Sequence, residues 1–344
     1  MSMGERPGIY TSYTTSGIRY GGASQFAVGI AAQASAGTAG ESVALTSPAA
    51  ARAQFGDGSN LAKLSELAFR NGASVVKGVR VSGSYESAFG VLCADESVKA
   101  ITCDSSDAQT HAQLKSAVAG AEGACAHKLG IVEGTGTVQA LVAAAAALNS
   151  ERIVMTAPGG TDGGGAAMTA GSTAAALAGV IAAQTDAALP LNGAALKGIE
   201  SVAASYTDGD ITLLVRGGVT PLERTGGETC VVRGVTTRTT TGGTPDATWR
   251  ELNTILVVDD VVPSVRDALK SGFARAKNTA QTRGAIRTRV IIELESKKRA
   301  EIIEGYDAVT VAQNDDDPTV CDVSFEFTVA HGLNRIVISA FITV

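Results

Sequence analysis

Gly134-Thr-Gly136-Thr-Val-Gln139 is the stretch whose residue types and spacing come nearest to cofactor chemistry. A GxG turn between a strand and a helix is where a dinucleotide's pyrophosphate would rest, on backbone N–H groups at the helix start. Gln139 stands where that fingerprint needs Gly or Ala for close helix–strand packing, so the stretch reads as an ordinary strand-to-helix turn. Gly159-Gly-Thr-Asp-Gly-Gly-Gly165 could wrap an anion with its N–H groups. No Gly-Lys dipeptide occurs anywhere, however, which removes the phosphate loop and leaves this stretch a flexible connection. His111, His127 and His331 are scattered, with no HExxH and no Cys/His cluster to hold zinc, and no serine lies in a GxSxG elbow. Carboxylates concentrate at Asp259-Asp260 and in Asn314-Asp-Asp-Asp-Pro318. A calcium loop opening at Asn314 would need Gly at its sixth place and Glu at its twelfth, where Phe325 stands, so this segment reads as an acidic turn ahead of a C-terminal hairpin. The cysteines at 93, 103, 125, 230 and 321 are odd in number and form no CxxC pair, which predicts reduced thiols behaving as small apolar residues. The chain thus offers no catalytic, cofactor-binding or metal-ligating set, and no cofactor is expected.

A chain of 344 residues, 45% apolar and 18% charged, can bury a substantial core and divides naturally into two domains. Its net charge of −6 provides no global basic field, so nucleic acid is not an expected partner. Met1-Ser-Met-Gly-Glu-Arg-Pro7 lacks the apolar centre of an export signal, and the longest apolar run, Ala174 to Ala183, is half a membrane span. Neither export nor stable membrane insertion is expected. With 40 glycines, long alanine runs and only 4% aromatics, helices must pack very close to a sheet.

The elements that would position any site follow from periodicity. From Lys99 to Gln184 strands and helices alternate: strand Lys99–Asp104, helix Asp107–Ala121, strand Lys128–Val132, helix Val138–Leu148, strand Arg152–Thr156 and helix Thr169–Gln184. That order predicts a parallel α/β layer. Phe26–Ile30 and Ser74–Arg80 read as further strands, flanking a helix on which Leu61, Leu64, Leu67 and Ala68 share a face. Beyond about residue 200 the texture changes to α+β, with a helix from near Asp208 to Val215 and strands at Val219–Leu222, Thr229–Thr236 and Leu252–Val258. Helices at Val262–Ala276 and Thr282–Arg299 and a strand at Tyr306–Val311 complete this part.

The last residues alternate strictly. Val323, Phe325, Phe327 and Val329 fall on one face, His331-Gly332 can turn the chain, and Ile336, Ile338, Ala340 and Ile342 resume the pattern, which predicts a hairpin. Its final strand would leave one edge unpaired, with no Pro or Lys after Pro318 to blunt it.

In its order of elements the chain resembles the sheath proteins of contractile tails, found in bacteriophages, phage-tail-like bacteriocins and contractile injection systems. Arg6-Pro-Gly-Ile-Tyr10 is similar to the Pro-Gly-aromatic opening of that family's N-terminal arm, and Leu189-Pro-Leu-Asn-Gly-Ala-Ala-Leu-Lys-Gly-Ile199 to its passage into the C-terminal domain. Gly218-Val-Thr-Pro-Leu222, Val232-Arg-Gly-Val-Thr-Thr-Arg238, Trp249 and Leu252–Val258 follow its succession of elements, although Asp259-Asp260 replaces the family's usual arginine. The resemblance implies an α/β outer domain with a parallel-type layered sheet, an α+β C-terminal domain, and extended strand arms at both ends. The corresponding boundaries are 1–22, 23–198, 199–333 and 334–344.

The same resemblance implies a non-enzymatic virion structural subunit that polymerises with itself as stacked six-membered rings around a tail tube. Contraction would drive the tube through a target envelope. Tube, baseplate and tail terminator proteins would be its partners, and it would assemble in the bacterial cytoplasm before joining a virion or a released particle. Inter-subunit strands are expected from Ile9, Tyr10 and Tyr13 in the N-terminal arm and from Arg335, Ile336, Ile338, Ala340 and Ile342 in the C-terminal one, donated to a neighbour's sheet. Residues 266–299 carry ten basic side chains against three acidic, and Lys270, Arg275 and Lys277 are the expected tube-facing candidates. The rival reading is an α/β small-molecule-binding protein or enzyme built on residues 99–184, which needs convergent polar groups at the strands' carboxyl ends.

Overall fold

The computed structural model describes residues 26–123, 127–273 and 275–334. In chain order its first half runs β1 (Ala27–Ala32), β2 (Ser42–Leu45), α1 (Pro48–Phe55), α2 (Asn60–Arg70), β3 (Val76–Arg80), α3 (Tyr85–Ala94), β4 (Val98–Cys103), α4 (Ala108–Gly123), β5 (Leu129–Glu133), α5 (Val138–Leu148) and β6 (Ile153–Ala157). There follow β7 (Gly160–Thr161), α6 (Ser172–Ala183), β8 (Ser201–Val202), α7 (Asp208–Arg216), β9 (Val219–Thr225), β10 (Glu228–Val231), β11 (Thr240–Thr241), β12 (Thr244–Pro245), α8 (Leu252–Phe273), α9 (Ala280–Arg299), β13 (Ile303–Gln313) and β14 (Cys321–Val329).

Among the described residues one large, mostly parallel sheet has the order β10-β9-β6-β5-β4-β1-β3-β2, with antiparallel pairing only at its two ends. Each central strand is buried on both faces, as a parallel sheet covered by helices requires. On β1, Val28, Ile30 and Ala32 join the core beneath α1, α2 and α6, while Ala27 and Ala31 point into the core beneath α3, α4, α5 and α7. The small-residue composition has its use here: α6 is buried along nearly its whole length, and Gly179 approaches α2 so closely that a Cβ would strike the Ala68 carbonyl. Past residue 198 the sheet continues, because β9 pairs in parallel with β6 at Met155↔Val219 and carries β10 on its far side.

Two sequence expectations need correction. Leu252–Val258 is not a strand but the first turns of the 22-residue helix α8. Its continuous aliphatic run has no period of its own, and the stripe that decides the matter is Val257, Val261 and Val265, four apart and all buried. The second concerns the terminal hairpin. Val323, Phe325, Phe327 and Val329 do share a face of β14, and among the described residues β14 pairs with β13, a partner the sequence reading did not give it; the strand expected at Ile336–Ile342 lies outside them. The acidic segment at Asn314 therefore closes that hairpin instead of preceding it. The arm residues Ile9, Tyr10, Tyr13, Arg335, Ile336, Ile338, Ala340 and Ile342 lie outside the described residues.

A third core forms away from the sheet. Val257, Val261 and Val265 of α8 meet Val290 and Leu294 of α9 and Ile303 and Val309 of β13, and the apolar face of β14 packs against them. Leu252 and Ile255, at the start of α8, belong instead to the core beneath α6.

Candidate assembly surface

The ribbon formed by β13 and β14 is long, and among the described residues each of its strands has a single partner, so both edges are open. One face is docked. Tyr306, Val323, Phe325, Phe327 and Val329 rest on the α8–α9 pair, with the rings of Phe325 and Phe327 6.2 Å apart, while Asp322, Ser324, Glu326 and Thr328 face outward. An isolated two-stranded ribbon is marginal in water, and this docking holds it.

Side chains of α9 and its approach fix the ribbon's geometry. The register slips between Asp307 and Thr310, where Ala308 takes φ 51° and a bulge opens. Arg287 Nε donates to the freed carbonyl of Val309 at 2.9 Å. Tyr306 donates its hydroxyl to Glu295 at 3.2 Å. At the turn, Asn278 Nδ2 donates to the carbonyls of Pro318 (2.8 Å) and Val320 (3.0 Å), and the side chain of Asn314 accepts from the N–H groups of Asp316 and Asp317.

Ion pairs lock this ribbon unit to the sheet. Asp259 and Asp260, adjacent on α8, point different ways. Asp260 accepts from Lys297 of α9 at 2.6 Å. Asp259 accepts from Arg152, which precedes β6, with Nη1 2.7 and 2.6 Å from the two carboxylate oxygens and side-chain exposures of only 5% and 16%. His127 lies beside them, its Nε2 2.9 Å from Arg266 and its Nδ1 3.5 Å from Asp259. Nδ1 also lies 3.3 Å from Nη2 of Arg152, so both ring nitrogens face guanidinium donors, and a neutral ring can accept from only one of them. Burial, followed by the positive charges of Arg152, Arg266 and Lys99, depresses the His127 pKa against the pull of Asp259. The adjacent carboxylates Asp259 and Asp260 thus take their cations, Arg152 and Lys297, from the chain itself.

The expected tube-facing side chains lie on this unit's surface. Lys270 is exposed in the last turn of α8, and Arg275 and Lys277 are exposed in the linker before α9, next to the Asn278 contact with the acidic turn.

The crevice that an α/β ligand would use has different occupants. Ligands of open α/β sheets bind beyond the strands' carboxyl ends where the strand order reverses, here between β1 and β4. Asp104 fills that place, accepting from Gln33 N at 3.0 Å, Asn60 Nδ2 at 2.8 Å and the Tyr85 hydroxyl at 2.7 Å. One strand along, buried Glu133 accepts from the N–H (2.9 Å) and hydroxyl (2.6 Å) of Thr173 and so caps α6, whose own cap residue, Gly171, has no side chain to offer. Desolvation pushes the Glu133 pKa up despite these bonds. Gly134 and Gly136 form the β5–α5 turn, with Thr137 capping α5, and a Cβ on Gly134 would meet Leu141 at 2.6 Å. Cys93, Cys103, Cys230 and Cys321 are free thiols, and burial pushes Cys103 up to about 12. No cluster of His, Cys, Asp and Glu suited to a metal occurs among the described residues.

No spacing in the sequence announced the Arg152–Asp259 pair, since its partners are 107 positions apart. Both strands of the ribbon were legible, β13 over Tyr306–Val311 and β14 by its alternation, but their pairing with each other was not.

Comparison with known proteins adds to this geometry. No curated protein matches the chain by sequence. By fold it is similar to the sheath tail protein of Desulfitobacterium hafniense, with 13% identity, a TM-score of 0.71, and 94% of this chain and 100% of that one covered. It is similar also to the helical sheath of the anti-feeding prophage in its contracted state, with 14% identity, a TM-score of 0.73 and coverages of 97% and 98%. The sheath tail protein of Listeria innocua gives 12%, 0.70, 91% and 97%. Residues 244–343, which include α8, α9 and the ribbon, match the phage tail sheath C-terminal domain. The chain therefore has the fold of tail sheath proteins, and its residues 244–343 are similar to the phage tail sheath C-terminal domain.

Proposed function

We propose that the chain is the structural subunit of a contractile tail sheath, polymerising as stacked six-membered rings around a tail tube and contracting to drive that tube through a target envelope. The observation that carries this reading is the β13–β14 ribbon, docked on one face and, among the described residues, without a further strand on either edge. An open edge of this length is a liability in a monomer and an asset in a polymer, where strand addition pairs its backbone groups. The arms 1–22 and 334–344 supply the added strands, through Ile9, Tyr10 and Tyr13 on one side and Ile336, Ile338, Ala340 and Ile342 on the other. Ten extended residues from Arg335 reach about 33 Å, enough to leave one subunit and enter the next. Because such contacts run head to tail, they build an open lattice. Residues 23–198 form the outer domain and 199–333 the inner one in this reading. Besides other copies of itself, the subunit meets tube, baseplate and terminator proteins, and it assembles in the bacterial cytoplasm before becoming part of a particle.

Deleting residues 335–344 tests the proposal. The truncated protein is expected to keep its circular dichroism and urea midpoint, to sediment as a monomer, and to form no cylinders in negative-stain images in which the full chain forms them. Cylinders from the truncated protein would overturn the donated strand, and the absence of any polymer from the full chain would overturn the sheath reading.

A further inference from the structure

A cleft of about 390 Å³ lies between the end of α7 and the segment leading to α8, and three arginines line it: Arg216, Arg233 and Arg250. One carboxylate serves them. Glu251 takes Arg233 at 2.5 Å through Nη2 and 3.3 Å through Nε. It stands 3.9 Å from Arg250 Nε, beyond hydrogen-bond range, and that nitrogen is buried with no hydrogen-bond partner among the described residues. Arg216, exposed at the end of α7, forms no ion pair among them. Three guanidinium groups against one carboxylate leave a surplus of planar donors, the arrangement that recognises carboxylates.

The chain carries a matching group at the opposite end of the ribbon. From Ala300 to Asn334 there are eight acidic residues and no Lys or Arg, and three of the eight are the consecutive Asp315, Asp316 and Asp317 of the β13–β14 turn. Asn314 holds this turn in shape, and Asp315 and Asp316 are exposed and form no ion pair among the described residues. The turn cannot reach the cleft of its own molecule. Asn334, on the cleft's rim and bonded to Asn192 at 2.8 Å, follows β14, whose nine residues separate it from the turn by about 30 Å.

We infer that the arginine cleft receives the Asp315–Asp317 turn of a second copy of this chain. The contact is head to tail, so it propagates rather than closes. It rests on the sheath reading only for its setting and adds a charged contact independent of the strand arms.

Arg216→Lys preserves the charge and introduces an amine that a zero-length carbodiimide coupler can join to a carboxylate. Particles assembled from a mixture of ¹⁴N- and ¹⁵N-labelled Arg216→Lys protein, coupled and digested, are expected to yield a mixed-label cross-link between position 216 and the 314–320 peptide. The companion variant Asp315→Asn/Asp316→Asn, with an unchanged urea midpoint, is expected to lower cylinder yield about tenfold at 0.15 M salt, the difference from wild type shrinking as salt rises and screens the wild-type contact. Cylinders of Arg216→Lys protein that lack the cross-link, or normal yield from the Asp variant, overturn the contact and leave the sheath reading standing. A wild-type chain that gives neither polymer nor cross-link overturns both.

Discussion

Nη1 of Arg152 donates to both carboxylate oxygens of Asp259, at 2.7 and 2.6 Å, and so ties the strand end of the large sheet to the helix that carries the ribbon. Both side chains are largely withdrawn from water. Removing one partner leaves the other charge buried without compensation, so Asp259→Ala is expected to cost about 3–5 kcal/mol in urea unfolding. Arg152→Met combined with Asp259→Leu should lose much less, since well-packed apolar replacements of a buried pair are often near neutral. Equal losses in the two proteins would show that packing, and not the stranded charge, sets the cost.

His127 gives this junction a pH dependence whose sign follows from its surroundings. Burial and the nearby Arg152, Arg266 and Lys99 hold its pKa below the ordinary value, with Asp259 opposing them. A depressed folded value means that its contribution to stability is fully present above the unfolded pKa of about 6.5 and is lost as pH falls through the folded one. Acidification from pH 7.5 to 5 should lower the urea midpoint more in the wild type than in His127→Gln. His111, also depressed by burial, is present in both proteins and cancels in the comparison. Parallel pH profiles for the two proteins would remove His127 from the account.

Gly171 has φ 82° at the start of α6, and a side chain there would run into the carbonyl oxygen of Cys103. Gly171→Ala is therefore expected to cost at least about 2 kcal/mol, through left-handed backbone strain together with the clash. Gly165→Ala is the control: it shares the positive φ, at 80°, but meets open space, so the difference between the two thermal midpoints isolates the steric part.

Lys270, Arg275 and Lys277 are exposed and cost the fold little to change. On the sheath reading, reversing all three to Glu weakens a salt-sensitive contact with the tube and shifts particles from extended and tube-filled to contracted and empty. Electron micrographs of particles made with the tube protein check this. Extended particles at normal yield would place the tube contact elsewhere.

Where backbone period and burial coincide, the fold was legible. The α/β alternation from Lys99 onward was visible, and α5 runs over Val138–Leu148 as its apolar spacing predicts. Other elements had weak local signals. β2 is an edge strand with only Leu45 buried, and α1 is a short Ala-rich helix opened by Ser47 and Pro48, without a clear apolar stripe. β13 was legible as a strand only over Tyr306–Val311, shorter than its Ile303–Gln313 extent, and the bulge at Ala308 breaks its period-two pattern. The assembly surface divides in the same way. Alternation along β14 marked a strand, with the unpaired edge expected on the segment after His331-Gly332, whereas the Arg152–Asp259 pair and the arginine cleft are assembled from residues far apart in the chain and leave no spacing to read.

α8 is a helix of 22 residues, about 33 Å long, held at both ends, and Pro263 in its interior leaves the carbonyl of Asp259 without its helical N–H donor. Leu252 and Ile255 grip the body beneath the sheet, and Val257, Val261 and Val265 grip the ribbon unit. The ion pairs of Asp259 and Asp260 brace its midpoint from both sides. Held this way, the helix has one built-in place to bend, the turn before Pro263. On the sheath reading, any turning of the body in a polymer would reach the ribbon through α8, with Pro263 as its point of give.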